Sequence, residues 1–249
     1  MNAVNMRRGR GRTAGGDAGS TRERIVDAAL ALFNERGVRE VTTNHIAEGL
    51  GISPGNLYYH FRHREEIVRA ILPRVVATVE AAITLPHDRP ITPEELASYY
   101  LAGSKNLWDY RFLFGDVPFL VGRDPEFARE YRALHVWLLE TFGRLFAALR
   151  RDGLMDATLD AADLARLGVN AYVVWFSWLS YVRSVRADGT VDRAVTAAGA
   201  LQSFLVLAPY LEPRFGAAAR RALETGAGMS APPRGRRRGA LTRPPGQGR

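Results

Sequence analysis

Twenty-three residues, Thr42 to Arg64, constrain the chain more than any other stretch: TTNHIAEGLGISPGNLYYHFRHR. They read as two short helices around a tight turn. Thr43 is expected to cap the first helix, because its hydroxyl can accept a bond from an orphan backbone N–H of the next turn. Ile46, Ala47 and Leu50 follow at helical spacing, and Gly51 is expected to end the helix in a left-handed conformation. Ile52 returns to the core. Ser53 then caps a second helix with Pro54 at its first position, where a missing N–H costs nothing.

The second helix has a face that is hard to explain by solvation alone. Leu57 and Phe61 lie four apart and point inward, leaving Gly55, Asn56, Tyr58, Tyr59 and His60 for the other faces, with Arg62 and Arg64 beyond. A solvated helix would carry Glu, Lys and Gln there. Asn can bond a base edge, and Tyr, His and Arg can bond phosphates, so this set suits a major groove. The competing reading is a helical hairpin whose aromatics pack on a neighbour.

The run Thr42-Thr43-x-x-Ile46-Ala47-x-x-x-Gly51-Ile52-Ser53-x-Gly55-x-Leu57-Tyr58-x-His60-Phe61-x-x-Arg64-Glu65-Glu66 closely resembles the DNA-binding domain of TetR-family transcriptional regulators, over about residues 21–72 and without a gap. The resemblance implies an all-α, homodimeric, ligand-controlled protein, most often a repressor, on a palindromic operator in double-stranded DNA. Position by position it assigns DNA contacts to Thr43, Asn44, Gly55, Asn56, Tyr58, Tyr59, His60 and Arg64. The family more often has lysine where Arg64 stands; arginine keeps a phosphate contact. Neither Asn44 nor Asn56 is fixed in the family.

The net charge of +8 is concentrated at the ends. Residues 1–20 hold four Arg against one Asp, and residues 226–249 hold six Arg and no acid, so the body between is nearly neutral. Both ends are rich in Gly, Arg, Pro and small residues and are expected to be disordered. The leading arginines can enter a minor groove or serve only as a solubilising leader. With no cysteine, disulfides, thiolate nucleophiles and cysteine metal sites are excluded. The longest charge-free apolar stretch, Leu167 to Val182, is short for a membrane span and holds Asn170, Ser177 and Ser180. A soluble, cytoplasmic chain without cofactor or metal is the expectation.

Elsewhere the pattern is helical throughout. Ile25, Ala28, Ala29, Leu32 and Phe33 stripe a platform helix from Thr21 to Arg36. A connector helix runs from Glu65 to Ile83, with Pro73 expected to bend or break it. Leu85–Ile91 reads as a linker. Thr92 and Glu95 form a capping box for a helix to about Tyr110, followed by a short aromatic piece with Phe112, Phe114, Pro118 and Phe119. Asp124, Asp160 and the Asp188-Gly189 turn punctuate three more helices, ending near Pro209, and a shorter piece covers Phe215 to Glu224. The resulting domains are a disordered arm (1–20), a helix-turn-helix domain (21–72), a helical ligand-binding and dimerisation domain (73–225) and a basic tail (226–249).

All four Trp, seven of nine Tyr and eight of eleven Phe lie between residues 92 and 210. Such density serves a core, a dimer seam or an apolar cavity. From Leu167 to Val182 nearly every face is apolar, so that helix is expected to be buried on one side by its own domain and on the other by a partner. Tyr172, Phe176, Leu179 and Val182, with Val195, Leu201 and Leu205 on the next helix, are the expected seam; the TetR resemblance implies a four-helix intersubunit bundle from these two helices. An apolar or aromatic small-molecule effector with one polar end is expected, with Trp108, Phe112, Tyr131, His135, Asn170 and Trp175 as its candidate contacts. His135 fits a satisfied core histidine as well as a ligand contact, and Asn170 can bond a ligand or cross the dimer.

Two other classes compete. An enzyme would need a site, and the chain has no Gly-rich phosphate loop, G-x-S-x-G elbow or metal-spaced helix pair. His60-x-x-His63 only superficially suggests a metal, since His60 falls on a DNA-contact position of the family. An architectural DNA binder using the arginine tails would show little sequence preference and a steep salt dependence; the Asn56 and Tyr-rich helix argues against it.

Overall fold

The structure, a computed structural model, describes residues 20–228; the arginine-rich arm and the basic tail lie outside them apart from Ser20 and residues 226–228. Helices are the only extended elements among the described residues, joined by one isolated antiparallel bridge between Met155 and Leu211. Two compact units divide between Ala70 and Ile71.

The first unit opens with α1 (Thr21–Arg36), capped by a Ser20–Glu23 capping box and burying Ile25, Val26, Ala29 and Phe33. Helix α2 spans Thr43–Leu50, and its cap is Thr42 rather than Thr43. The Thr42 hydroxyl accepts from the His45 N–H while His45 Nδ1 accepts from the Thr42 N–H, so histidine takes the place glutamate holds in a capping box. That reciprocal pair explains the one-residue shift, and it releases the Thr43 hydroxyl for another partner. Gly51 ends α2 at φ +65°, ψ +30°, where a Cβ would crowd the following carbonyl. Ser53 then caps α3 (Pro54–His60) through the Asn56 N–H at 3.2 Å. Leu57 and Phe61 are fully buried, each such side chain contributing about 1.5–3 kcal/mol relative to exposure.

Helix α4 (Arg64–Ala82) is unbroken across Pro73, contrary to a break into two pieces. Proline removes one i→i−4 bond, but Ile71, Leu72 and Val75 on either side are buried and hold both halves in place.

In the second unit α5 (Pro93–Asp109) begins with the Thr92–Glu95 capping box. The short aromatic piece expected after it is a full helix, α6 (Arg111–Arg123), with Pro118 inside it. Burial of Phe112, Leu113, Phe114, Val117 and Leu120 outweighs the proline's preference against a helix interior. Helices α7 (Pro125–Arg151), α8 (Ala161–Val185), α9 (Arg193–Leu207) and α10 (Pro213–Gly226) follow, with a 3₁₀ turn over Ala208–Tyr210. Leu96, Leu149, Phe146, Phe204, Leu207 and Leu223 form the centre of the core shared by α5, α7, α9 and α10. Helices α8 and α9 meet closely because Gly199 has no side chain: a Cβ there would fall 2.5 Å from the Trp178 ring. The Trp178 indole lies in that gap and donates to the Val195 carbonyl at 2.7 Å.

Candidate nucleic-acid interface and aromatic domain

Helices α2 and α3 present one polar surface. Asn44, Gly55, Asn56, Tyr58 and Tyr59 are exposed, Thr43 and His60 half-buried. Tyr59 is 85% exposed and Tyr58 47%, unusual for phenol rings that have a core within reach. They are held in place nonetheless. The Thr43 hydroxyl lies 3.2 Å from the Tyr58 hydroxyl, tying the start of α2 to α3, and Tyr59 meets the His60 ring edge-on at 5.1 Å. Gly55 has an ordinary helical backbone, and a Cβ added to it would meet only the Ser53 hydroxyl at 4.0 Å. The protein's own packing does not require glycine there.

Arg64 is engaged inside the unit. Its Nη1 donates to the carbonyls of Val38 (2.8 Å), Val41 (3.1 Å) and Arg39 (3.3 Å), its Nη2 lies 3.4 Å from Glu65, and its side chain is only 16% exposed. It pins the α1–α2 loop onto the start of α4. Arg22 covers the Phe61 ring at 4.6 Å, closing another edge of the same unit.

The candidate effector contacts of the second unit fall into separate places. Tyr131, His135 and Trp175 converge on Tyr172: the Tyr131 and Tyr172 hydroxyls are 2.7 Å apart, His135 meets the Tyr172 ring edge-on at 4.6 Å, and Trp175 lies tilted at 6.1 Å. Phe114 and Phe176 extend this cluster, and Phe127 stacks on Tyr131. Burial first, then the mutual hydrogen bond, raises the Tyr131 phenol well above its usual value; burial also raises Tyr172. Both therefore remain neutral hydrogen-bonding groups. Trp108 is half-buried beneath the Arg111 guanidinium at 4.3 Å, and Phe112 is buried in the core. Asn170 stands apart from the cluster on the exposed side of α8.

The expected seam residues divide in the same way. Tyr172, Leu179, Val182 and Leu201 are buried within the chain itself, Phe176 and Val195 half-buried, and Leu205 is 38% exposed. The apolar side that α8 leaves open carries Val169, Val173, Tyr181 and Val185, each 42–60% exposed. Sequence reasoning assigned the apolar positions of α8 without knowing which of its sides faced inward.

A helix-turn-helix unit with a polar, aromatic-bearing second helix, followed by an all-helical domain, defines a class of DNA-binding regulators. A family model described as "Bacterial regulatory proteins, tetR family" matches residues 25–71, and one described as "Bacterial transcriptional repressor" (TetR) matches residues 74–218. The chain belongs to the TetR family of bacterial transcriptional regulators. It is similar to a crystal structure of a TetR-family transcriptional regulator from Marinobacter aquaeolei VT8, with 32% identity, a TM-score of 0.73, and coverage of 83% of this chain and 98% of that one. It is 44% identical over 57 residues to the HTH-type transcriptional repressor KstR2 of Mycobacterium tuberculosis, a match spanning 23% of this chain and 28% of that protein's length. It is 25% identical over 155 residues to the HTH-type transcriptional regulator UidR of Escherichia coli, spanning 61% of this chain and 77% of that one. The family's members are regulators rather than enzymes, and no helix among the described residues is long and apolar enough to cross a membrane.

Proposed function

We propose that the protein is a cytoplasmic, homodimeric, ligand-responsive repressor that binds a palindromic DNA site through α2 and α3. The observation that carries this reading is the surface of α3: an exposed amide, two exposed phenols and an open glycine on a helix whose opposite side is fully buried. Asn44 and Asn56 read base edges, and Thr43, Tyr58, Tyr59 and His60 contact the backbone. Gly55 lets the phosphate chain approach the helix backbone, which explains a glycine in the first turn of α3 that internal packing does not use. Arg64 acts in this scheme by fixing the loop and α4 rather than by touching phosphate.

Dimerisation uses the open side of α8 together with α9, where Val169, Val173, Tyr181, Val185 and Leu205 form the apolar surface and Asn170 supplies a polar bond across it. Two such units on a two-fold axis address half-sites about 34–36 Å apart. An effector bound by the aromatic domain releases DNA if it favours the state with lower DNA affinity, since coupling needs differential affinity.

The test is footprinting of the dimer on the promoters of its own and neighbouring genes, against random duplex at matched salt. A discrete protected palindrome is expected. Gly55→Ala should make the free protein more stable by up to about 1 kcal/mol yet weaken operator binding more than about tenfold, a loss of at least roughly 1.4 kcal/mol. Equal affinity for operator and random DNA would instead establish an architectural binder with no base reading.

A further inference from the structure

Two buried polar atoms of the second unit have no hydrogen-bond partner: the indole N–H of Trp175 and the side-chain oxygen Oδ1 of Asn106. Trp175 is 8% exposed and Asn106 1%. The orientation of the Asn106 amide is set by its other end, since Nδ2 faces the Val75 carbonyl at 3.4 Å and only a donor suits an acceptor there. The oxygen is therefore the orphan. Both groups border one stretch of α5, which carries Gly103 and Asn106. A Cβ on Gly103 would lie 3.4 Å from Trp175 Nε1, and Asn106 is three residues on, about 5–6 Å away along the same helix face. One orphan donates and the other accepts. Unpaired buried groups of this kind are uncommon and call for a physical reason.

We propose that Trp175 and Asn106, over the bare backbone of Gly103, form the polar anchor of the effector site. This rests on the reading of the aromatic domain as ligand-responsive. The anchor selects a neutral group that accepts and donates at once, a hydroxyl or a primary carboxamide, on an aromatic or alicyclic body. A carboxylate would set its lone pairs against Asn106 Oδ1, and an ammonium would set its protons against the Trp175 N–H. The body of the ligand rests on the aromatic wall beside the anchor, where Phe114 meets Trp175 edge-on at 4.9 Å and Tyr172 lies beyond it. Gly103 leaves the indole N–H beside bare backbone rather than a side chain. Its replacement by alanine places a methyl at ordinary contact distance over the N–H without displacing backbone.

The experiment follows the Trp175 indole resonance of the ¹⁵N-labelled full-length dimer, assigned with Trp175→Phe, during titration with benzyl alcohol, benzamide, toluene, benzoate and benzylamine. Release of operator DNA is measured in parallel. Benzyl alcohol and benzamide should move the resonance downfield and bind at least about tenfold more tightly than toluene, because a site built around unpaired polar atoms rejects analogues that cannot pair them. Benzoate and benzylamine should leave the resonance where it is. Gly103→Ala should abolish the response while raising the denaturation midpoint, which separates blocking from unfolding. Asn106→Leu should narrow the preference for benzyl alcohol over toluene without removing it, because the Trp175 N–H can still donate to the hydroxyl oxygen. Equal binding of toluene and benzyl alcohol by the unsubstituted protein overturns the anchor. So does a Trp175 N–H already bonded to an internal water in the free protein, or one that no probe moves. If a probe releases DNA without moving Trp175, ligand control stands and the anchor is wrong; if the anchor fills as described and DNA stays bound, the anchor stands and ligand control by this site is wrong.

Discussion

Replacing Arg64 by alanine separates a latch inside the first unit, which the structure shows, from the phosphate contact that the family resemblance assigns to the same side chain. In the structure one guanidinium nitrogen serves three carbonyls of the 38–41 loop at 2.8–3.3 Å, on a side chain only 16% exposed. Bonds from a charged donor contribute about 1.5–3 kcal/mol each in favourable settings. Here one nitrogen shares its two protons among three acceptors at the rim of the unit, where water can replace part of the loss. Arg64→Ala is therefore expected to cost about 2 kcal/mol, roughly thirtyfold in the local opening equilibrium. Native-state hydrogen exchange reads this directly: amides of α1 and α2, which flank the pinned loop, should lose protection by about that factor. Arg64→Lys should recover part of it, because an ammonium reaches these carbonyls without the planar fork. DNA binding at low temperature should keep its salt dependence. Unchanged exchange together with a fall of about 0.9 in the slope of log K against log salt would refute the latch and return Arg64 to a phosphate contact.

Two further outcomes follow from the second unit. Val173→Glu places a charge on the open side of α8, where the native side chain is 51% exposed, so the subunit should still fold while sedimentation shifts from dimer to monomer; a persisting dimer would move the seam elsewhere. Glu95 pairs with Arg89 at 2.5 Å and accepts from the Thr92 N–H, which together hold its carboxyl at about 2, below the ordinary 4.5. A lowered folded-state value means that its contribution is present above pH about 4.5 and fades as pH falls toward 2. Stability curves of the wild type and Glu95→Gln should thus be separated near neutral pH and converge in acid; a constant gap across that window would contradict the argument.

Much of the local structure was legible because it depends on near neighbours. The Thr92–Glu95 box, the Asp124 and Asp160 caps and the Gly51 stop each need only a few residues of context, and each stands where the pattern places it. The failures are also local in origin. Thr43 and Thr42 are equally good caps by type, and the choice was made by His45, a residue rarely considered as the reciprocal partner. The stretch around Pro118 read only as a short aromatic piece, whereas five buried apolar side chains make α6 a helix of full length.

The sequence by itself determined the all-helical class, the helix-turn-helix pattern and the polar character of α3, because periodicity, caps and turn residues act over a few positions. Only the tertiary structure decided which groups are spent internally. It placed Arg64 on three carbonyls, put Leu179 and Val182 in the chain's own core while leaving Val173 and Tyr181 exposed, and set Trp175 against Gly103. The physical reason is that a side chain's partner lies across the fold: α8 is apolar on nearly all sides, so periodicity cannot say which side is inward, and a buried donor or acceptor is seen to lack a partner only when every neighbour is in place.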